Sequence, residues 1–231
     1  MKKLKLGHSS LEFAPIALGG NVFGWTIDEE MSHKLLDAFV DAGFSLVDTA
    51  EGYTWWVPGN KGGESETLIG SWLRKNPSKR DKVLIATKCA VLSKDRIRHS
   101  VEGSLTRLNT DRIDLFQSHR DDKDVPLEET LAAYGELIKE GKICYIGASN
   151  YDAERLAEAA DISRDNGLPE YQCLQPHYNL LERRLFEGPV ENECLRQGIG
   201  VLTILWPPAS SAASTARRPI SRKAGGAPAT P

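Results

Sequence analysis

The chain has 231 residues, of which 40% are hydrophobic and 26% are charged, and its formal net charge is −3. This length is sufficient for one large domain with a substantial core, and the composition is ordinary for a soluble globular protein. Because the net charge is small and negative, we expect neither nucleic acid nor a membrane as a partner.

The N-terminal segment is positively charged, but no apolar run of signal-peptide length follows it. No stretch approaches the roughly 20 apolar residues that span a bilayer. The cysteines are far apart and form no Cys-x-x-Cys pair, and they are Cys89, Cys144, Cys173 and Cys194. This pattern favours scattered buried thiols in a cytoplasmic protein over a zinc site.

Short apolar segments alternate with amphipathic helices along most of the chain, after an opening β-hairpin predicted at Leu4–Phe13. The 3.6-residue period predicts helices over Met31–Val40, Ile97–Leu108 and Leu127–Ile138. Such alternation indicates a parallel sheet covered on both faces. The strands are predicted, in chain order, at Ile16–Leu18, Ser45–Val47, Val83–Thr87, Leu115–Ser118, Ile143–Ala148, Cys173–Gln175 and Gly200–Thr203.

Two architectures fit this alternation. A doubly wound open sheet usually has a glycine-rich phosphate turn after its first strand, but Leu18–Gly24 lacks the Gly-x-Gly-x-x-Gly spacing. The strand ends recur about every 30 residues, as a βαβ unit requires. We therefore predict an α/β fold of the (β/α)8 TIM-barrel type with an N-terminal β-hairpin. The seven recognisable strands make this barrel incomplete at its C-terminus.

Polar residues stand at the predicted strand ends, where barrels of this type carry their active sites. Asp48, Lys88 and His119 end the second, third and fourth strands, and Tyr53 follows Asp48 in the next loop. A cation lowers the pKa of a nearby phenol, so Lys88, held by Asp48, would make Tyr53 a general acid. His119 would donate a hydrogen bond to the substrate oxygen or orient the carbonyl. Each residue taken alone is more often an ordinary solvated one, and the joint pattern is the specific signal.

The segment His119–Asp124 is rich in carboxylates and is an alternative candidate for a metal site. This segment lacks the glycine and the ligand spacing of a calcium loop. A solvated loop is the preferred interpretation, and we expect no metal.

The segments around these residues resemble the aldo-keto reductase superfamily. The matches run in family order from about residue 3 to residue 203, and they are Leu46–Tyr53, Gly62–Gly70, Ala86–Lys88, Arg112–His119, Gly141–Ile143, Ile146–Asn150 and Gln175–Leu181. The resemblance implies an NADP(H)-dependent oxidoreductase that reduces aldehydes and ketones to alcohols. It implies that Tyr53 protonates the carbonyl oxygen while Lys88 and Asp48 tune it.

The resemblance also implies where the cofactor and the substrate lie. Ser149, Asn150 and Gln175 would hold the nicotinamide carboxamide, with Asp48 nearby. Substrates of the family bind in the barrel mouth between loops. The aromatic candidates for contacting a small-molecule carbonyl substrate are Phe23, Trp25, Trp55 and Trp56, and simple loop packing explains them equally well. The adjacent tryptophans predict a substrate lid or a subunit contact, which leaves a homo-oligomer open.

The resemblance is expected to end after Thr203. Similar proteins continue with a segment like Tyr-Ser-Pro-Leu, whose tyrosine stacks on the nicotinamide, whereas this chain has Ile204-Leu205-Trp206. Residues 207–231 contain no Asp or Glu and are rich in Ala, Pro, Ser and Gly, so we expect disorder there. We predict an incomplete barrel domain over residues 1–206 followed by this tail, as in a truncated or frameshifted reading of a longer gene.

An unclosed barrel would expose the edges of its first and last strands and remove part of the cofactor site. We therefore expect weak or absent NADPH binding by this chain in isolation. The alternative function is a non-catalytic or regulatory protein that keeps the barrel fold, because fold alone does not determine activity.

Overall fold

The computed structural model describes residues 1–204. Trp206 and the predicted tail at 207–231 lie outside the described residues. Within residues 1–204, the strands form a two-stranded antiparallel sheet and a seven-stranded parallel sheet. No helix in this part of the chain is long and apolar enough to cross a membrane.

The small sheet is the predicted N-terminal hairpin, formed by β1 (Leu4–Lys5) and β2 (Glu12–Phe13). Its turn contains Gly7, whose φ of 54° lies in the left-handed region; a Cβ there would stand 2.3 Å from a backbone oxygen of the segment before β8. The buried residues of the hairpin pack against side chains from the starts and middles of the barrel strands. These residues are Leu6, Leu11, Phe13, Leu46, Ala86, Leu115 and Cys173. The hairpin therefore covers the end of the sheet where the parallel strands begin.

The large sheet confirms the predicted strands, with differences only at their ends. Its members are β3 (Ala17–Gly19), β4 (Leu46–Asp48), β5 (Leu84–Cys89), β6 (Ile113–Ser118), β7 (Ile143–Ser149), β8 (Cys173–Gln175) and β9 (Gly200–Val201). Each strand pairs in parallel with the next one in the chain, so sequence order and spatial order are the same. This is the curled α/β arrangement of a TIM-type barrel, incomplete within the described residues, with β3 and β9 as its outermost strands.

Six α-helices connect the strands in the described part of the chain. They are α1 (Glu29–Asp41), α2 (Glu64–Lys75), α3 (Lys94–Leu108), α4 (Leu127–Lys139), α5 (Ala153–Asn166) and α6 (Pro189–Gln197), with 3-10 turns at Gly20–Val22 and Pro77–Lys82. The side chain of Asp28 accepts a hydrogen bond from the Met31 amide at 2.9 Å, and Asp152 caps α5 in the same way. These caps satisfy amides that have no partner inside the helix.

The main core lies between the sheet and the helices and is built from the apolar faces that the periodicity predicts. Trp72 is its largest fully buried side chain, and its indole nitrogen donates to the Asp37 carboxylate at 2.8 Å. The buried strands alternate between this outer core and the interior of the barrel, because successive side chains of a strand point to opposite faces. That alternation sends Asp48, Lys88 and Gln117 inward, where the chemistry is assembled.

Candidate active site

A buried ion pair lies at the centre of the site. Lys88 is completely buried, and its Nζ donates to both carboxylate oxygens of Asp48, at 2.9 Å to Oδ1 and 2.8 Å to Oδ2. A third bond runs to the Thr49 carbonyl oxygen at 2.8 Å, so every ammonium hydrogen has a partner. Burial alone would lower the pKa of Lys88, but the adjacent Asp48 carboxylate outweighs it and the pKa lies above its usual value. The ammonium therefore stays charged at neutral pH.

Tyr53 lies beside this pair, in the turn that follows β4. Its ring centroid is 4.8 Å from Lys88 Nζ, and its hydroxyl donates to Asp48 Oδ2 over a long 3.4 Å. Burial raises the pKa of Tyr53, Lys88 opposes that rise, and Asp48 adds to it. The net direction is upward, so the expectation that Lys88 would bring the Tyr53 pKa below its ordinary value is wrong for this structure. The reason is that desolvation disfavours the phenolate more strongly than one compensated cation favours it.

His119 follows β6 directly and faces the same phenol. The ring centroids of His119 and Tyr53 are 6.0 Å apart in an edge-to-face arrangement. Burial and, after it, the Lys88 charge lower the pKa of His119 to about 4. The imidazole is therefore neutral at pH 7 and carries one donor and one acceptor nitrogen. Its neutral N–H is suited to bind an oxygen held near the Tyr53 hydroxyl.

Ser149, Asn150 and Gln175 meet at the ends of β7 and β8. The Ser149 hydroxyl donates to the Gln175 carbonyl oxygen at 2.8 Å, and Asn150 Nδ2 donates to the His119 carbonyl oxygen at 3.1 Å. Gln175 Nε2 donates to Asp48 Oδ1 at 3.1 Å, while its Oε1 is buried and has no hydrogen-bond partner within residues 1–204. The Gln175 amide thus donates to the ion pair through Nε2, and its Oε1 is available within residues 1–204 to accept a hydrogen bond.

Gln117 is a member of the site that the sequence analysis missed. It lies on β6, two residues before His119, and its Nε2 donates to Asp48 Oδ1 at 3.3 Å. Its position two residues before His119, on the same face of the strand, was the signal that could have revealed it.

The aromatic candidates separate into two groups. Trp25 and Trp56 pack edge to face with ring centroids 5.7 Å apart, and both rings are partly exposed, whereas Trp55 is more exposed than either. Phe23 is completely buried in the main core, so its ring is not available to a ligand in this structure. The physical reason is that Phe23 follows the 3-10 turn after β3 and packs into the core between the sheet and the helices.

A cavity of about 580 Å³ connects the site with the interior of the incomplete barrel. Trp25, Asp48, Tyr53 and Gln175 form part of its wall. The remaining wall is mainly apolar and comes from the hairpin, from β3 and from the segment around β9. A polar reactive end joined to an apolar chamber is typical of small-molecule sites.

Two carboxylates of the loop after His119 have protein partners. Asp121 pairs with Arg155 at 2.8 Å, and Asp122 Oδ2 accepts from the Leu92 amide at 3.0 Å. No group of His, Cys, Asp and Glu within the described residues is arranged to hold a metal ion. These carboxylates hold the loop against the neighbouring elements.

Comparison of the sequence with known proteins identifies the family of the chain. The sequence model of the Aldo/keto reductase family matches residues 15–223, so the match continues past Thr203. The chain is 35% identical to Aldo-keto reductase dtxS3 of Metarhizium robertsii, an alignment that covers 95% of this chain and 67% of the relative. It is 32% identical to the uncharacterized oxidoreductase YrpG of Bacillus subtilis, covering 90% of this chain and 66% of that protein.

A third relative, Aldo-keto reductase YhdN of Bacillus subtilis, is 39% identical over 74% of this chain and 50% of its own length. The chain thus spans about two thirds or less of the length of these three relatives. The family match nevertheless covers most of the chain and all of the strand-end residues described above. The chain belongs to the aldo/keto reductase family.

Proposed function

We propose that this chain is an NADP(H)-dependent oxidoreductase that reduces aldehyde or ketone carbonyls to alcohols, with Tyr53 as the general acid. The observation that carries the proposal is one phenol that lies close to both a buried ammonium and a neutral imidazole. Lys88 Nζ lies 4.8 Å from the Tyr53 ring centroid, and the His119 ring centroid lies 6.0 Å from it.

The protonation states support this role. The raised pKa of Tyr53 keeps its proton on the phenol at neutral pH, so the acid is loaded before reaction. As the proton moves to the carbonyl oxygen, the negative charge that develops on the phenol oxygen is stabilised by Lys88, whose own charge Asp48 maintains. The neutral His119 donates its N–H to the same carbonyl oxygen and orients it.

The residues at the ends of β7 and β8 fit a nicotinamide carboxamide. Gln175 Oε1 is a buried acceptor without a hydrogen-bond partner in residues 1–204, its residue lines the cavity, and an amide N–H₂ group would satisfy it. Ser149 and Asn150 lie next to it and complete a polar edge. A bound reduced nicotinamide would supply the hydride to the carbonyl carbon. The choice of NADP(H) over NAD(H) rests on the family resemblance.

The substrate would enter past Trp25 and Trp56, whose exposed rings favour a carbonyl compound with an apolar body. The cytoplasm is the proposed location, supported by four cysteines that are all free thiols.

The test compares NADPH consumption by the wild type and Tyr53→Phe with a panel of aldehydes and ketones. We expect the substitution to lower kcat by roughly 100- to 10,000-fold, because it removes the acid and leaves the ring. Tyr145→Phe is the matched control, since within the described residues the Tyr145 hydroxyl bonds only Ser10, at the opposite end of the barrel.

Equal rates in the wild type and Tyr53→Phe would remove Tyr53 from the mechanism. A folded wild-type chain that neither binds NADPH nor consumes it with any substrate would instead favour the alternative, a non-catalytic or regulatory protein. Fluorescence titration of NADPH decides this second point separately from turnover.

A further inference from the structure

Gln117 occupies a completely buried position inside the barrel, in register between Lys88 on β5 and Gly147 on β7. A Cβ on Gly147 would approach Cys173 Sγ to 2.6 Å and Gln117 Cγ to 3.2 Å. The missing side chain at Gly147 therefore leaves the space in which the Gln117 side chain extends towards Asp48.

The orientation of the Gln117 amide follows from its neighbours. An ionised carboxylate only accepts hydrogen bonds, so Nε2 is the atom that faces Asp48 Oδ1, at 3.3 Å. The opposite end, Oε1, lies 3.9 Å from the Cys173 thiol, a weak donor. The amide thus bridges a charged group and a neutral one, and only one orientation satisfies both.

The two oxygens of Asp48 are bonded unequally. Oδ1 accepts from Lys88, from Gln117 and from Gln175, whereas Oδ2 accepts from Lys88 and from the Tyr53 hydroxyl at 3.4 Å. Donors that gather on Oδ1 stabilise the negative charge there and weaken Oδ2 as an acceptor. The long contact of the Tyr53 hydroxyl agrees with a weak acceptor.

We propose that Gln117 is a positioning residue for the reaction: it holds the Asp48 carboxylate towards the interior donors, so that the Tyr53 proton remains available to the substrate. Within residues 1–204, Gln117 has no hydrogen bond to the phenol and does not itself line the cavity, so it acts through Asp48. The link to catalysis rests on the proposed function, but the effect on the Tyr53 phenol does not require turnover.

The other charged and titratable groups around the phenol do not change protonation state while Tyr53 begins to ionise. Asp48 raises the pKa of Tyr53, so a carboxylate that loses a donor will raise it further. The titratable groups that face this pair from the neighbouring strands are Lys88 on β5, His119 after β6 and Cys173 on β8. The pKa of Lys88 lies above its ordinary 10.5 and burial raises the pKa of the Cys173 thiol, so both groups keep their protons during the onset of Tyr53 ionisation. His119 is already neutral there, so none of the three imitates the effect.

The experiment follows the Tyr53 phenol by NMR in the full chain labelled with ¹³Cζ-tyrosine, with the resonance assigned by its loss in Tyr53→Phe. Gln117→Met keeps the length of the side chain and removes the donor, and Gln117→Glu replaces the donor with a second carboxylate. We expect the onset of Tyr53 ionisation to rise by about 0.5–1 pH unit in Gln117→Met, roughly a three- to tenfold change in the ionisation constant. The rise in Gln117→Glu should be larger, because it adds a like charge beside Asp48.

Cys173→Ala is the matched control, because it loosens the packing around the Gln117 amide but keeps the donor in place. It should leave the Tyr53 titration unchanged, whereas a purely structural role for Gln117 would shift all three variants alike. An unchanged titration in folded Gln117→Met and Gln117→Glu, judged by circular dichroism, would overturn the proposal.

The kinetic arm separates this inference from the proposed function. In an active wild type, Gln117→Met should lower kcat and move its pH profile upward while the KM for NADPH stays constant, since Gln117 does not border the cofactor edge. An inactive wild type would contradict the proposed function and leave the NMR result to decide the role of Gln117. A raised KM with an unchanged kcat would place Gln117 in ligand binding and contradict a positioning role.

Discussion

At the residue scale, the site depends on a buried charge pair whose members stabilise each other. A lone ammonium in a position as buried as that of Lys88 would lose its proton or unfold the barrel, because desolvation of an ion is expensive. Asp48 prevents this with two short contacts, and the amides of Gln117 and Gln175 satisfy the remaining capacity of the carboxylate. Removal of either ion would therefore cost more than the pair contributes.

His119 provides a pH-dependent test at the same scale. Its pKa of about 4 in the folded chain lies below the ordinary value of 6.5, so the unfolded chain binds more protons between these two values. Stability must then fall as the pH falls from 6.5 towards 4. In His119→Asn this component disappears, and the loss of stability between pH 7 and pH 4.5 should be smaller by about 2 kcal/mol.

Urea unfolding of both proteins at the two pH values measures that difference. The carboxylates of the molecule contribute their own acid sensitivity equally to both proteins, so only the difference is informative. Identical pH dependence in wild type and His119→Asn would mean that His119 titrates normally and is not held neutral by its surroundings.

At the element scale, neighbouring helices pack on each other at contacts that leave no room for a larger side chain. A Cβ on Gly70 in α2 would stand 1.9 Å from the Arg107 carbonyl oxygen in α3. The backbone of one helix therefore packs directly on the other, with Gly70 as the point of contact. The same helix supplies Glu66, which is fully buried and paired with Arg107 at 2.7 Å.

This contact decides the sign of a substitution that helix propensity alone would favour. Alanine in place of glycine inside a helix stabilises it by up to about 1 kcal/mol. In Gly70→Ala the added methyl group must push α2 away from α3, and such overpacking costs about 1–3 kcal/mol or more. We expect a net loss of stability in thermal unfolding followed by circular dichroism.

Gly103→Ala is the control in the neighbouring helix. There the added Cβ would meet Nη1 of Arg107 at 2.9 Å, whereas Arg107 binds the buried Glu66 through Nε, so a small shift of Nη1 relieves the contact and keeps the ion pair. Gly103→Ala should therefore be neutral or mildly stabilising. A Gly70→Ala variant as stable as Gly103→Ala would show that α2 and α3 are not in direct backbone contact.

At the scale of the whole molecule, the parallel sheet brings distant strand ends to one edge, and the hairpin covers the opposite end. Phe13 of the hairpin is buried against the start of the barrel and also borders the cavity that reaches Tyr53. The N-terminal segment is thus part of the folded unit, although most of the chain separates it from β8 and β9, which it contacts.

Truncation of this contact should destabilise the whole domain. Phe13→Ala removes a buried ring from the cluster beneath the sheet, and such changes cost about 3–5 kcal/mol. Leu4→Ala is the control on the same hairpin, since Leu4 is largely exposed. Urea unfolding measures the free energy of unfolding of both variants. Equal values would mean that the hairpin does not cover the end of the barrel in solution.

The sequence predicted much of this architecture because both of its signals are local. Apolar strands alternating with helices identify the parallel sheet, and polar residues at strand ends identify Asp48, Lys88 and His119. The sequence analysis did not single out Gln117, because its place on the inward face of a strand is visible in the sequence but its partner, Asp48, is not. The same local signals also could not distinguish Phe23, which is a core residue, from the exposed tryptophans nearby.

The sequence by itself determined the family, the order of the strands and the residue types that stand at their ends. Only the tertiary structure decided the protonation of the site. Whether the pKa of Tyr53 rises or falls depends on the balance between burial, the charge of Lys88 and the charge of Asp48. Each of these influences depends on how closely strands that are far apart in the chain approach one another. Local patterns specify which groups meet, whereas their energies arise from the desolvated space in which they meet.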